Sequence, residues 1–110
     1  MLPYQQHGVP FYVTHTHATA ALASKAAVAG YTHFITDIMV ASDTDDAIML
    51  VKQGTTTIWQ DSLKTAATGC NIINHSFAAP LRAAQGALVS VQIDGTTICQ
   101  ANIAGFTIKS

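Results

Sequence analysis

Tyr31-Thr-His-Phe-Ile-Thr-Asp-Ile-Met-Val-Ala-Ser42 is followed by the acidic turn Asp43-Thr44-Asp45-Asp46. Ala47-Ile-Met-Leu-Val-Lys-Gln53 comes next, then Gly54, then Thr55-Thr-Thr-Ile-Trp-Gln60. The reading of this stretch decides the fold. β-Branched and aromatic residues dominate it and turn residues punctuate it, so it predicts three strands of a meander. Its middle strand is apolar on both faces, because alternating side chains send Ile48 and Leu50 one way and Met49 and Val51 the other. A strand apolar on both sides must be covered on both sides. One side meets the core, and the other needs a second layer, most simply another subunit. Gly54 stands where the hairpin connection needs a residue tolerant of positive φ. Alternation also predicts that Ile58 and Trp59 face opposite sides.

Working outward, Phe11 to Thr16 mixes aromatic, β-branched and histidine residues and predicts a first strand. Residues 1–10 carry Pro3, Gly8 and Pro10 and are expected to be an extended arm, either docked on a neighbour or frayed. Ala18 to Ala29 is alanine-rich. It lacks a capping box and a helical period of large apolar residues, so an irregular strand is preferred, with a helix as the alternative. Asp61 to Gly69 reads as a loop. Cys70 to Phe77 reads as a strand with Ile72 and Ile73 on opposite faces, and Ala78 to Gly86 as a second loop. Ala87 to Ile93 alternates Val89, Val91 and Ile93 against Leu88, Ser90 and Gln92, the pattern of a half-buried strand. Asp94-Gly95 is a hairpin signal. Thr96 to Ile108 closes the chain, with Gly105 marking a bulge or a close backbone approach. About eight short strands in about 100 residues predict a single-domain, all-β antiparallel sandwich, jelly-roll-like, over residues 11–110.

Composition narrows the function. The chain has 110 residues, of which 10% are charged, and it contains no glutamate. A typical soluble domain is about 25% charged. So few charges protect a surface poorly against association, which predicts that much of it is covered in an oligomer or larger assembly. The formal net charge is −1. Lys25, Lys52, Lys64, Arg82 and Lys109 are scattered, so neither a nucleic-acid patch nor a polybasic membrane patch is expected. No apolar run approaches the ~20 residues that span a bilayer. The first residues lack the charged and apolar regions of a signal peptide, so synthesis in a cytoplasm is expected. Cys70 and Cys99 have no zinc-site spacing. Reduced, mostly buried thiols are the expectation, and a disulfide between them is the alternative.

His15-Thr16-His17 is the sharpest candidate for chemistry. On a strand both imidazoles project to one face and could share a metal. A cupin-like site would then need Asp37 or Asp61, with His33 or His75, in place of the missing glutamate. The spacing does not support this, and the preferred reading is a pair of surface or interface histidines with no cofactor. A thiol triad of Cys99, His75 and an aspartate lacks any nucleophile-turn motif. The Asp43/Asp45/Asp46 turn lacks the terminal glutamate of a calcium loop. Asp37, flanked by Ile35, Ile38 and Met39, is expected to be a buried acceptor, and Trp59 to pack in a core or interface. No catalytic residue is expected.

A family resemblance is carried by four pieces in order: the strand Tyr31–Ser42; Ile48-Met-Leu-Val-Lys52 leading to Gly54-Thr-Thr-Thr-Ile-Trp59; Phe77-Ala-Ala-Pro-Leu81; and Cys99-Gln-Ala-Asn-Ile-Ala-Gly105-Phe106. Over about residues 31–106 the chain resembles small jelly-roll virion proteins of tailed bacteriophages. The resemblance implies a capsid decoration (cement) protein, a homotrimer or dimer that binds the major capsid protein on the capsid surface. The alternative is a head-fibre or tail-fibre module that binds a receptor or carbohydrate. It implies no catalytic residues. The residues expected at an oligomer or capsid contact are Phe11, Tyr12, Ile48, Leu50 and Trp59.

Overall fold

A computed structural model describes residues 8–42, 47–62, 71–95 and 98–110. The Asp43–Asp46 turn, Cys70, most of the loop expected at Asp61–Gly69 and most of the N-terminal arm lie outside these residues. Among the described residues eight strands follow one another: β1 (Val9–His17), β2 (Ala20–Lys25), β3 (Tyr31–Ser42), β4 (Ile48–Gln53), β5 (Thr56–Ser62), β6 (Asn71–Arg82), β7 (Val89–Asp94) and β8 (Cys99–Lys109). They form two four-stranded antiparallel sheets that pack face to face. Sheet A has the order β1-β8-β3-β6, and sheet B has the order β2-β7-β4-β5. The chain is therefore an all-β sandwich, and this strand order is consistent with a jelly roll.

The β4–β5 connection stays within one sheet, and every other connection between described strands passes to the facing sheet. This corrects two expectations. The stretch 31–60 is not a meander, because β3 lies in sheet A while β4 and β5 lie in sheet B. The Asp94-Gly95 signal does not make a hairpin, because β7 and β8 belong to different sheets. Gly95 instead donates its N–H to the Thr19 carbonyl, at 2.7 Å. Gly54, between β4 and β5, has φ +55° as the turn requires, and its N–H donates to Leu88 O at 2.7 Å.

The core lies between the sheets. Ile35, Ile38, Val40, Cys99, Ala101 and Ile103 point in from sheet A. Met49, Val51, Val89, Val91, Ile93, Ala21 and Ala23 meet them from sheet B. The alternation of β7 is the one the sequence predicts. Ala20–Lys25 is a strand, not a helix, and its alanines let β2 approach the opposing layer closely. Ile73 packs on the core while Ile72 faces out.

Bulges break the alternation elsewhere. Val51 pairs with Trp59 and Lys52 with Thr57, so Ile58 is an extra residue in β5. Ile58 and Trp59 consequently both pack against the core instead of facing opposite sides. In β3, Thr36 is the extra residue between Ile35, paired with Gly105, and Asp37, paired with Ala104. Opposite it on β6, Phe77 to Pro80 fall between Ser76 and Leu81 without a partner in the β3 register. Pro80 lacks an N–H and is tolerated at a bulge on an edge strand. For that reason β6 continues through Ala78–Arg82, where the sequence suggested a loop.

Candidate functional site

His15 and His17 do share a face of β1, with ring centroids 6.0 Å apart. Their Nδ1 atoms are engaged as acceptors: His17 takes the N–H groups of Thr19 (3.1 Å) and Ala20 (3.0 Å), and His15 takes that of Leu22 (3.0 Å). β1 and β2 are edge strands of the two sheets, so His15 ties the sheets together by satisfying an edge donor. An imidazole accepting at Nδ1 carries its proton on Nε2, so the lone pair a metal would take is in use. Among the described residues no group of three or more His, Cys, Asp or Glu is placed to hold a metal ion. Replacing both histidines by leucine is expected to lower the unfolding free energy by about 1 kcal/mol in urea denaturation, because water replaces the exposed acceptors.

The other candidates for chemistry have structural partners. His33 is 1% exposed; Nε2 donates to the Ala26 carbonyl at 2.8 Å and Nδ1 bonds the Thr107 hydroxyl at 2.7 Å. His75 lies in an aromatic cluster with Trp59 (centroids 4.9 Å apart) and Phe77 (4.6 Å). The cluster fills the side of the sandwich between edge strands β5 and β6. Cys99 is buried beside Ser42, Sγ to Oγ 3.7 Å. Asp37 is not the buried acceptor the sequence suggested. The bulge at Thr36 turns it outward, where it accepts the Ser76 hydroxyl at 2.5 Å.

Two outward faces remain as surfaces that could recognise something. On sheet B, Leu50 pairs with Gln92 and Gln60, and Gln92 pairs with Leu22, which makes one row across the four strands. Ile48 lies beyond it on β4. Leu22 is 48% exposed and Ile48 54% exposed. On sheet A, the row Thr14–Asn102–Met39–Asn74 runs beside the row Tyr12–Ala104–Asp37–Ser76. A stacked Phe34–Phe106 pair, centroids 5.0 Å apart, forms the next row.

The five residues expected at a contact do not come together. Ile48 and Leu50 share the outer face of sheet B. Tyr12, 68% exposed, stands on the outer face of sheet A. Phe11 and Trp59 turn inward at opposite sides of the sandwich; Phe11 meets His33 edge-on at 5.5 Å, and Lys25 Nζ lies 5.9 Å from its ring centroid. Sequence reasoning passed over Leu22, although the small inward neighbours Ala21 and Ala23 mark it as the outward residue of β2. It also passed over Asn102, whose side chain is 4% exposed with Oδ1 unbonded. Leaving a buried amide oxygen unsatisfied costs about 1–3 kcal/mol.

Fold and surfaces together define a class: an antiparallel β-sandwich with apolar side chains displayed on its outward faces. No protein-family model matches the chain, and no curated protein matches it.

Proposed function

We propose that this protein is a structural component of a phage virion. It is a capsid decoration (cement) protein that binds the outside of the shell as a homo-oligomer, a trimer in the first instance, and stabilises it. It has no catalytic role. The observation that carries the proposal is the outer face of sheet B, where Leu22, Ile48 and Leu50 face out beside Gln60 and Gln92, in a chain with 10% charged residues. Covering the exposed half of such side chains contributes about 1 kcal/mol each. A protein repeated over a lattice sums such terms, and ligand binding to the assembled state raises its stability by mass action. The strand order, consistent with a jelly roll, supports the same reading.

Sedimentation at micromolar concentration is expected to show an oligomer. The variant Ile48→Asp/Leu50→Asp should sediment as a monomer while keeping its β circular dichroism, since neither side chain contributes to the core. Capsids lacking the protein, mixed with it, should bind it and melt at a higher temperature. A monomeric wild type that leaves capsid melting unchanged would sink the proposal.

A further inference from the structure

The cations are scattered in sequence, but strand register gathers four of them at one end of the sandwich. Lys109 pairs with Tyr31, and Arg82 with Phe34, near the start of β3. Lys25 and Lys52 lie near the ends of β2 and β4, paired with Val89 and Ser90 at the start of β7. Backbone bonds join the two sheets there: Gly86 N–H donates to the Tyr31 carbonyl at 2.8 Å, and Gly54 N–H to that of Leu88 at 2.7 Å. Asp61 and Asp94 stand at the opposite end, paired with Met49 and Ala20 at the starts of β4 and β2. The hydroxyl of Ser42, the last residue of β3, donates to the Asp94 carbonyl at 2.9 Å, so that end too is common to both sheets. Asp37 is mid-strand; Asp43, Asp45, Asp46 and Lys64 lie outside the described residues. No carboxylate among the described residues forms an ion pair with any of the four cations.

We propose that the basic end docks the acidic end of a second copy of this chain, in a head-to-tail contact. β3 has twelve residues, and at ~3.3 Å per residue its two ends are roughly 36 Å apart. The Debye length is about 8 Å at physiological ionic strength, so the ends of one molecule do not neutralise each other. Each therefore presents its own sign to a neighbour, and the acidic end of another copy supplies the complement of the basic one. Arg82 and Lys109 line a shallow hollow of about 120 Å³ with Thr32, Phe34, Ile108 and Ser110, and no acidic side chain lines it. A partner's aspartate entering there meets Arg82, whose guanidinium can bind a carboxylate with two parallel bonds. A head-to-tail contact is heterologous, so it repeats from copy to copy and closes a ring or extends a filament. Exposed ion pairs are individually weak, so the contact sets the orientation of neighbouring copies more than it holds them. It is independent of the outer face of sheet B on which the cement reading rests.

The test is sedimentation of the intact protein in sodium chloride at about 20 mM and about 500 mM, between which the Debye length falls from roughly 20 Å to about 4 Å. Low salt is expected to raise the apparent association constant about tenfold or more. An apolar contact through sheet B gains nothing from low salt, so the two readings can fail separately. The variant Arg82→Asp/Lys109→Asp/Asp61→Lys/Asp94→Arg exchanges charges between the ends and leaves composition and net charge unchanged. It should lose the low-salt gain, and Arg82→Asp/Asp94→Arg should lose part of it. All four side chains are exposed, so both variants should keep the circular dichroism and melting of the wild type. The proposal is overturned if low salt brings no gain in association, or if the four-fold exchange variant associates at low salt as wild type does. It is equally overturned if heparin, a polyanion, binds the basic end at low salt while the protein alone gains no association, which would assign that end to an anionic partner.

Discussion

Gly105→Ala is expected to cost about 3 kcal/mol or more, a large share of the ~5–15 kcal/mol that holds a domain together. Gly105 sits in β8 paired with both Phe11 and Ile35, at the point where the Thr36 bulge pushes β3 towards it. A methyl group there would collide with the Phe34 carbonyl oxygen and lie 2.9 Å from Phe11 Cζ. The obstacle is backbone, so relief requires the β3–β8 ladder to part in the centre of sheet A. Overpacking of flexible side chains costs ~1–3 kcal/mol, and a backbone clash belongs at or beyond the upper end. Gly54→Ala is the contrasting control. Its φ of +55° strains a side chain but nothing lies within 4 Å, so about 1 kcal/mol is expected. Urea midpoints of the two variants measure both costs, and a Gly105→Ala cost no greater than that of Gly54→Ala would show that the ladder yields.

His33→Leu is expected to lose about 2–4 kcal/mol and to lower the melting temperature by roughly 10 °C or more. The imidazole is buried with both nitrogens bonded. Leucine leaves the Ala26 carbonyl and the buried Thr107 hydroxyl without partners and disturbs the edge-on contact with Phe11. Because Ala26 follows β2 directly, the bond also anchors the crossing from sheet B to sheet A. Adding Thr107→Val should recover about 1 kcal/mol, since removing both partners of a buried pair costs less than orphaning one. Strictly additive costs in calorimetry would mean that the His33–Thr107 bond contributes nothing of its own.

Much of the sandwich was legible from alternation. Val89, Val91 and Ile93 point in as their spacing predicts. Ile48 and Leu50 face out opposite Met49 and Val51, and Gly54 and Gly105 mark a positive φ and a close approach. Periodicity reports which side of a strand is apolar and says nothing about which partner that side meets. Sheet membership was therefore not legible. Strands 31–42 and 48–53 look like neighbours along the chain, yet they lie in opposite sheets. Bulges were equally hidden, because one inserted residue reverses alternation without a compositional mark. Thr36 thereby turned Asp37 outward, and the irregularity at Ile58 brought Trp59 in with it. The candidate surfaces suffered for the same reason. Phe11 and Trp59 pack against the core because of their position in the sandwich, which residue type alone does not reveal.

The sequence by itself determined an all-β chain with two-sided apolar strands, few charges and turn residues at the observed breaks, because those properties are local or additive along the chain. Only the tertiary structure decided that the strands divide into two facing sheets. Only it brought Leu22 level with Leu50 and placed Asn102 beside Asp37, Asn74 and Tyr12. Those neighbours come from four different strands, and pairing across a sheet depends on the closure of the whole core.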